Sequence, residues 1–157
     1  MRISRRDFLI RSAETIVVLS TTGLVSTILS SCGNGPTGPS NVSSLKTIQG
    51  TVNNSKISIN IGSSSPIANK NTRALVVYNG GSSAVIVEHN PDDTFKAISA
   101  ICTHQGCVVS EFDGTDFVCP CHGSKFDLNG NVVQGPAPSN LRQYSTSVEG
   151  SSLIITL

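Results

Sequence analysis

Two short stretches constrain this chain more than anything else in it: Cys102-Thr103-His104-Gln105-Gly106-Cys107 and Cys119-Pro120-Cys121-His122-Gly123-Ser124. Each sets thiols and an imidazole within a few residues, in what reads as a tight loop. Thiolate and imidazole are ligands for soft and borderline metals. Two such loops can clamp an iron–sulfur cluster through two sulfurs and two nitrogens. Imidazole in place of thiolate removes negative charge from the iron, which raises the reduction potential, and it keeps a ring nitrogen that can gain or lose a proton. A zinc tetrahedron is the first alternative, since Cys2His2 sites also use short spacings. Zinc motifs usually pair two Cys in one knuckle with a later pair of His. Here each loop offers one Cys and one His with a second Cys left over. Plain disulfides beside surface histidines are the other alternative, and they leave the matched Cys–His spacings unexplained.

Eleven residues separate the two stretches, and Gly135-Pro136-Ala137-Pro138 follows them. In this order the three pieces resemble the Rieske iron–sulfur family, in particular the high-potential proteins of cytochrome bc-type complexes. The resemblance covers about residues 95–140. It implies an all-β Rieske fold, an antiparallel sandwich or barrel base with a small inserted cluster-binding subdomain at about residues 101–138. It also implies one [2Fe-2S] cluster, a class with potentials of roughly −150 to +300 mV. Cys102 and Cys119 would hold the buried iron, and His104 and His122 the outer, redox-active one. Cys107 and Cys121 would form a disulfide between the loops. Ser124 would donate its hydroxyl to a cluster sulfide, which stabilises the reduced state. The Gly-Pro segment would cover the cluster from a third side, stiffened by prolines that fix φ. Two residues depart from the pattern. Phe126 stands where the highest-potential members carry Tyr, whose hydroxyl bonds a cysteine ligand, so a lower potential is expected. Gln105 stands where quinol-oxidising subunits usually carry Leu, on the face that docks against cytochrome b.

The N-terminus reads as an address. Ser4-Arg5-Arg6-Asp7-Phe8-Leu9 resembles a twin-arginine export signal, followed by an apolar stretch from Ile16 to Leu29. Leu29-Ser30-Ser31-Cys32 resembles a lipoprotein signal cut before Cys32, whose sulfur would carry the lipid. Cysteine arithmetic agrees, because Cys32 is the one cysteine outside the two loop motifs. The alternative is an uncleaved anchor helix. A span needs about 20 apolar residues, more than this stretch provides, so cleavage is the favoured expectation. Either way, residues 1–31 are signal or anchor and the remainder sits on the exported, periplasmic side of a bacterial inner membrane, tethered to it. Residues 32–44, rich in Gly, Pro, Ser and Asn, read as a flexible tether of roughly 20 Å.

Without residues 1–31 the chain holds seven basic and eight acidic side chains. No basic stripe marks it for nucleic acid. Aromatics make up 4% of the chain and Trp is absent, so there is no aromatic platform for bases or sugars. Residues 45–157 are long enough for a core of their own. Ile57-Ser58-Ile59-Asn60-Ile61 alternates as a strand, and so do parts of Leu45–Val52. Hairpins are expected from Ala74–Tyr78 and Ala84–Glu88 around Asn79-Gly80-Gly81, and from Gln143–Val148 and Leu153–Leu157 around Glu149-Gly150-Ser151. Phe95–Ile101 leads into the first loop. No helical period follows residue 32. His89, beside Asn90-Pro91-Asp92-Asp93, reads as a surface turn histidine.

The resemblance gives a first functional expectation: the iron–sulfur subunit of a quinol:cytochrome c oxidoreductase. Quinol would bind at His122, which would take a proton while the cluster takes an electron. Its partners would be cytochrome b and cytochrome c-type subunits. The alternative is a small Rieske subunit of a periplasmic oxidase of the arsenite oxidase type, or a free-standing lipoprotein carrier. An oxygenase ferredoxin fits less well, since such proteins generally lack the second Cys of each motif and the Pro loop.

Overall fold

A computed structural model describes residues 41–157. The signal, Cys32 and the tether up to residue 40 lie outside the described residues. In chain order the strands are β1 (Ser43–Ser44), β2 (Lys46–Gln49), β3 (Thr51–Asn53), β4 (Lys56–Asn60), β5 (Thr72–Tyr78), β6 (Ser83–His89), β7 (Phe95–Ser99), β8 (Glu111–Phe112), β9 (Phe117–Val118), β10 (Lys125–Phe126), β11 (Val132–Gln134), β12 (Gln143–Glu149) and β13 (Ser152–Thr156). Both expected hairpins form, β5–β6 and β12–β13. Among the described residues the one helix is a 3-10 turn, Asn79–Gly81, and no helix is long and apolar enough to cross a membrane.

The strands make an eight-stranded sheet, β2-β5-β6-β7-β12-β13-β4-β3, and a five-stranded one, β1-β8-β9-β10-β11. The ends of the larger sheet, β2 and β3, are one piece of chain bent at Gly50. Its first half pairs parallel with β5 and its second half antiparallel with β4, so the sheet closes into a barrel. Gly50 donates its N–H to Val77 O at 2.8 Å. A Cβ there would stand 2.6 Å from Ile57 Cγ2 and 2.9 Å from Val76 Cγ1, so only hydrogen fits at the bend.

Strands β5, β6 and β7 serve two cores, which is why they read as continuous apolar runs rather than alternating ones. Ala74, Val76, Tyr78, Val85, Val87 and Ala97 face the barrel interior with Ile57, Ile59, Leu153 and Ile155. Leu75, Ala84, Ile86 and Ile98 face the other way, onto a core with Cys102, Val109, Phe117, Cys119, Phe126, Ala137 and Leu141. The second core joins the barrel to the smaller sheet and contains both cysteines expected to bind iron. Arg73 ties the layers together from the side. Its Nη2 lies 2.7 Å from the buried Glu88 Oε1, its cross-strand partner, and its guanidinium stacks 4.3 Å from the ring centroid of Phe112 on β8.

Two expectations change. Ser43–Ser44, the last residues of the stretch read as tether, form β1 and pair with Phe112 and Glu111. The smaller sheet therefore takes a strand from outside residues 101–138. His89 is not a surface histidine. It ends β6, is buried, stacks on Phe95 with centroids 4.3 Å apart, and meets Ile67 O through Nδ1 at 2.9 Å. The Asn90–Asp93 turn is exposed as its composition suggests. Phe95 is a local partner across the β6–β7 turn, but the bond to Ile67 spans 22 residues and leaves no local mark in the sequence.

Candidate metal centre

The two motif loops are one backbone device built twice. In the first, Cys102 N–H donates to Cys107 O at 2.8 Å and Gly106 N–H to Cys102 O at 2.9 Å. In the second, Cys119 N–H donates to Ser124 O at 2.9 Å and Gly123 N–H to Cys119 O at 3.0 Å. Each ring turns on the glycine four residues after its first cysteine, with φ of 75° at Gly106 and 73° at Gly123. This left-handed conformation favours glycine, which accounts for both glycines in the motifs. A bridge between Ile101 and Val108 closes the neck of the first loop, while β9 and β10 carry the second.

The loops bring the four expected iron-binding side chains together as two pairs. Cys102 and Cys119 are buried free thiols. Burial, the largest cause, pushes the Cys119 thiol above its ordinary value; the neighbouring Cys102 thiol adds to this, against backbone N–H groups of Cys121 and His122. Two buried thiolates side by side need a strong positive charge beside them, and a bound metal supplies one. His104 and His122 stand edge to face with ring centroids 4.8 Å apart. His104 is half-buried, its Nδ1 is sealed from solvent, and that atom has no hydrogen-bond partner in the protein. An inward-facing imidazole nitrogen with nothing to bond is suited to a metal. His122 is exposed. Among the described residues no three His, Cys, Asp or Glu side chains converge as a single-ion site would require. The arrangement is a thiol pair beneath an imidazole pair, the donor set of a two-iron cluster.

Further bonds fix the loops to each other and to the Gly135–Pro138 segment. Cys107 and Cys121 form the expected disulfide, with Cα atoms 6.5 Å apart. Ser124 is fully buried, and its Oγ accepts the Ala137 N–H at 3.0 Å, leaving its own proton free to donate. The Gly135–Pro136 peptide is cis. Thr103 Oγ1 donates to Ser139 O at 2.6 Å, and Gln134 Nε2 donates to Gly123 O at 3.1 Å. Neither Thr103 nor Gln134 is among the residues expected at the site from sequence. Thr103 lies inside a motif and could have been found there; Gln134 has no local signal, because its partner is set by β10–β11 pairing. Gln105 is exposed and Phe126 is fully buried. Asp113 caps the β8–β9 turn, accepting the N–H groups of Thr115 and Asp116 and the Lys125 ammonium at 2.8 Å. The Lys125 bond, with those two backbone bonds, draws its carboxyl down to about 2. No Asp, Glu, Lys or Arg lies in 102–107, 119–124 or 134–139, the three segments at the tip.

The profile of the Rieske [2Fe-2S] domain family matches residues 59–145. The chain belongs to the Rieske family. It carries a single Rieske [2Fe-2S] cluster. A 72-residue stretch of this Rieske protein is 42% identical to a protein of Chlorobaculum thiosulfatiphilum named cytochrome b6-f complex iron-sulfur subunit, covering 45% of this chain and 40% of that one. An 86-residue stretch is 42% identical to the protein of the same name from Parasynechococcus marenigrum strain WH8102, covering 54% of this chain and 48% of that one. The chain thus spans less than half the length of these curated relatives. Among solved structures, the plasma membrane Rieske protein PetC3 of the cyanobacterium Synechocystis PCC 6803 superposes with a TM-score of 0.51 at 31% identity, over 63% of this chain and 99% of that one.

Proposed function

We propose that this Rieske protein transfers electrons as the iron–sulfur subunit of a membrane-bound, quinol-oxidising cytochrome complex. The observation that carries the reading is His122, an exposed imidazole over a buried thiol pair, in a chain whose curated relatives are named as cytochrome b6-f iron-sulfur subunits. Cys102 and Cys119 would hold one iron, and His104 and His122 the other. When bound, the cluster supplies a one-electron couple. His104, with its Nδ1 turned inward, holds one side of the site against water. His122 would orient the quinol through the ring nitrogen that does not bind iron, and take the hydroxyl proton there. Ser124 keeps its hydroxyl proton for a cluster sulfide while its oxygen pins Ala137. The partners are cytochrome b and a cytochrome c-type acceptor. A lipid on Cys32, or failing cleavage a helix at 16–29, holds the protein at the periplasmic side of the membrane; this part rests on the sequence motifs alone.

The test is low-temperature EPR of cluster-loaded membranes with and without a quinol-site inhibitor. An inhibitor-shifted Rieske signal is the expected result. A normal signal that ignores the inhibitor would remove the quinol reading and leave an electron carrier. Mass spectrometry of the mature N-terminus tests the lipid at Cys32.

A further inference from the structure

His122 is held from its two sides by different means. On one side Cys121 is fixed by its disulfide to Cys107. On the other lies Gly123, left-handed at φ 73°, where a built Cβ would meet nothing within 4 Å. No packed neighbour therefore stands against the Cα of Gly123. Hydrogen bonds hold it instead: Gly123 N–H reaches back to Cys119 O at 3.0 Å, and Gly123 O accepts Gln134 Nε2 at 3.1 Å. The first loop has the same internal N–H bond at Gly106, but among the described residues no side chain is bonded to the Gly106 carbonyl. Its outside tie comes from Thr103, ahead of the histidine. The exposed histidine is thus the one with a carbonyl one residue further on, that of Gly123, held by a side chain from another segment.

We propose that Gln134 is the positioning residue for His122, fixing the angle at which that imidazole meets its iron. Gln134 lies on β11, an edge strand paired only with β10, and is itself exposed. It contributes little to the core, so its effect is local. Glycine lacks the Cβ that limits rotation about its own backbone bonds; tying the Gly123 carbonyl removes that freedom. A few degrees at Gly123 reach the ring of His122 through one residue, while His104, on the other loop, is untouched.

The inference rests on His122 being an iron ligand, and the experiment separates the two claims. Gln134→Met keeps the length of the side chain and removes the donor, whereas Gln134→Arg keeps a donor. Pulsed EPR of the reduced, cluster-loaded full-length protein resolves the couplings of the two ligand nitrogens. The expected result is one nitrogen coupling shifted in Gln134→Met, the other unchanged, and both at wild-type values in Gln134→Arg. Unchanged couplings in Gln134→Met overturn the proposal. So do equal shifts in both couplings or loss of the cluster, which mark a general scaffold role. An Arg variant that behaves like the Met variant also overturns it, because the donor is then not what matters. A wild-type protein with no pair of nitrogen couplings refutes the ligand reading itself, and the role of Gln134 falls with it.

Discussion

Phe126 fills the core shared by Cys102 and Cys119, fully buried, and brings no hydroxyl to it. A donor at that ring edge would favour the more negative, reduced state of a bound cluster. Phe126→Tyr should therefore raise the midpoint potential. A preference of about 1 kcal/mol for the reduced state corresponds to roughly 40 mV in a one-electron couple. Redox titration followed by EPR checks it, and an unchanged or lower potential in a fully loaded variant contradicts it. Asp113 gives a second prediction at this scale. Its carboxyl is drawn from 3.8 to about 2 by Lys125 and two backbone N–H groups. A depressed carboxyl stabilises the fold above its ordinary value, and that contribution is lost as pH falls toward the folded value. Asp113→Asn should be less stable than wild type at neutral pH, with the gap closing between about pH 4 and pH 2. Denaturant titrations at a series of pH values measure it; a gap that widens in acid would refute the assignment.

Among the elements, the bend between β2 and β3 bears the most on the fold. Alanine at Gly50 places a methyl carbon inside contact distance of Ile57 and Val76, both fully buried. Overpacking of this kind costs about 1–3 kcal/mol, so Gly50→Ala should lower unfolding stability by that amount. The cluster loops, on the other sheet, should keep their EPR spectrum; a variant as stable as wild type would mean that the seam yields freely. Elements also mark how far the sequence could be read. The alternation in Ile57–Ile61 and the turn residues at Asn79–Gly81 and Glu149–Ser151 are local, and the strands and hairpins they predict are present. The loops were legible because cysteine, histidine and left-handed glycine are needed at fixed offsets. What did not show was what depends on distant pairing: the burial of His89 under residue 67, β1 joining a sheet built from residues 111–134, and Gln134 reaching Gly123. Each is settled by which strands meet, and no window of neighbouring residues carries that information.

As a whole, the molecule offers a tip without formal charge apart from its histidines. The fixed charges lie elsewhere, several of them neutralised in pairs such as Lys125–Asp113 and Arg73–Glu88. Association driven by opposed charges falls steeply as salt rises. A neutral contact face predicts no such slope. If the protein is reduced by quinol as proposed, the rate of that reduction should change by less than about twofold between low salt and half-molar salt. Stopped-flow measurement across that range decides it, and a steep salt slope would show that charges outside the tip govern the encounter.

The two residue pairs that join β1 to β8 also decide how the protein responds to a pull. Tension arriving along the chain from ahead of residue 41 enters at Ser43–Ser44 and loads β8, in the layer that carries the cluster loops, before it reaches the barrel through β2. Two rungs are a weak fastening, and unzipping them together with the Leu45 N–H bond to Ser110 O would release residues 43–45, roughly 10 Å of extended chain. On the proposed reading, in which the protein is held at a membrane through residues ahead of 41, this short catch adds its own length to the distance the cluster-bearing part can travel.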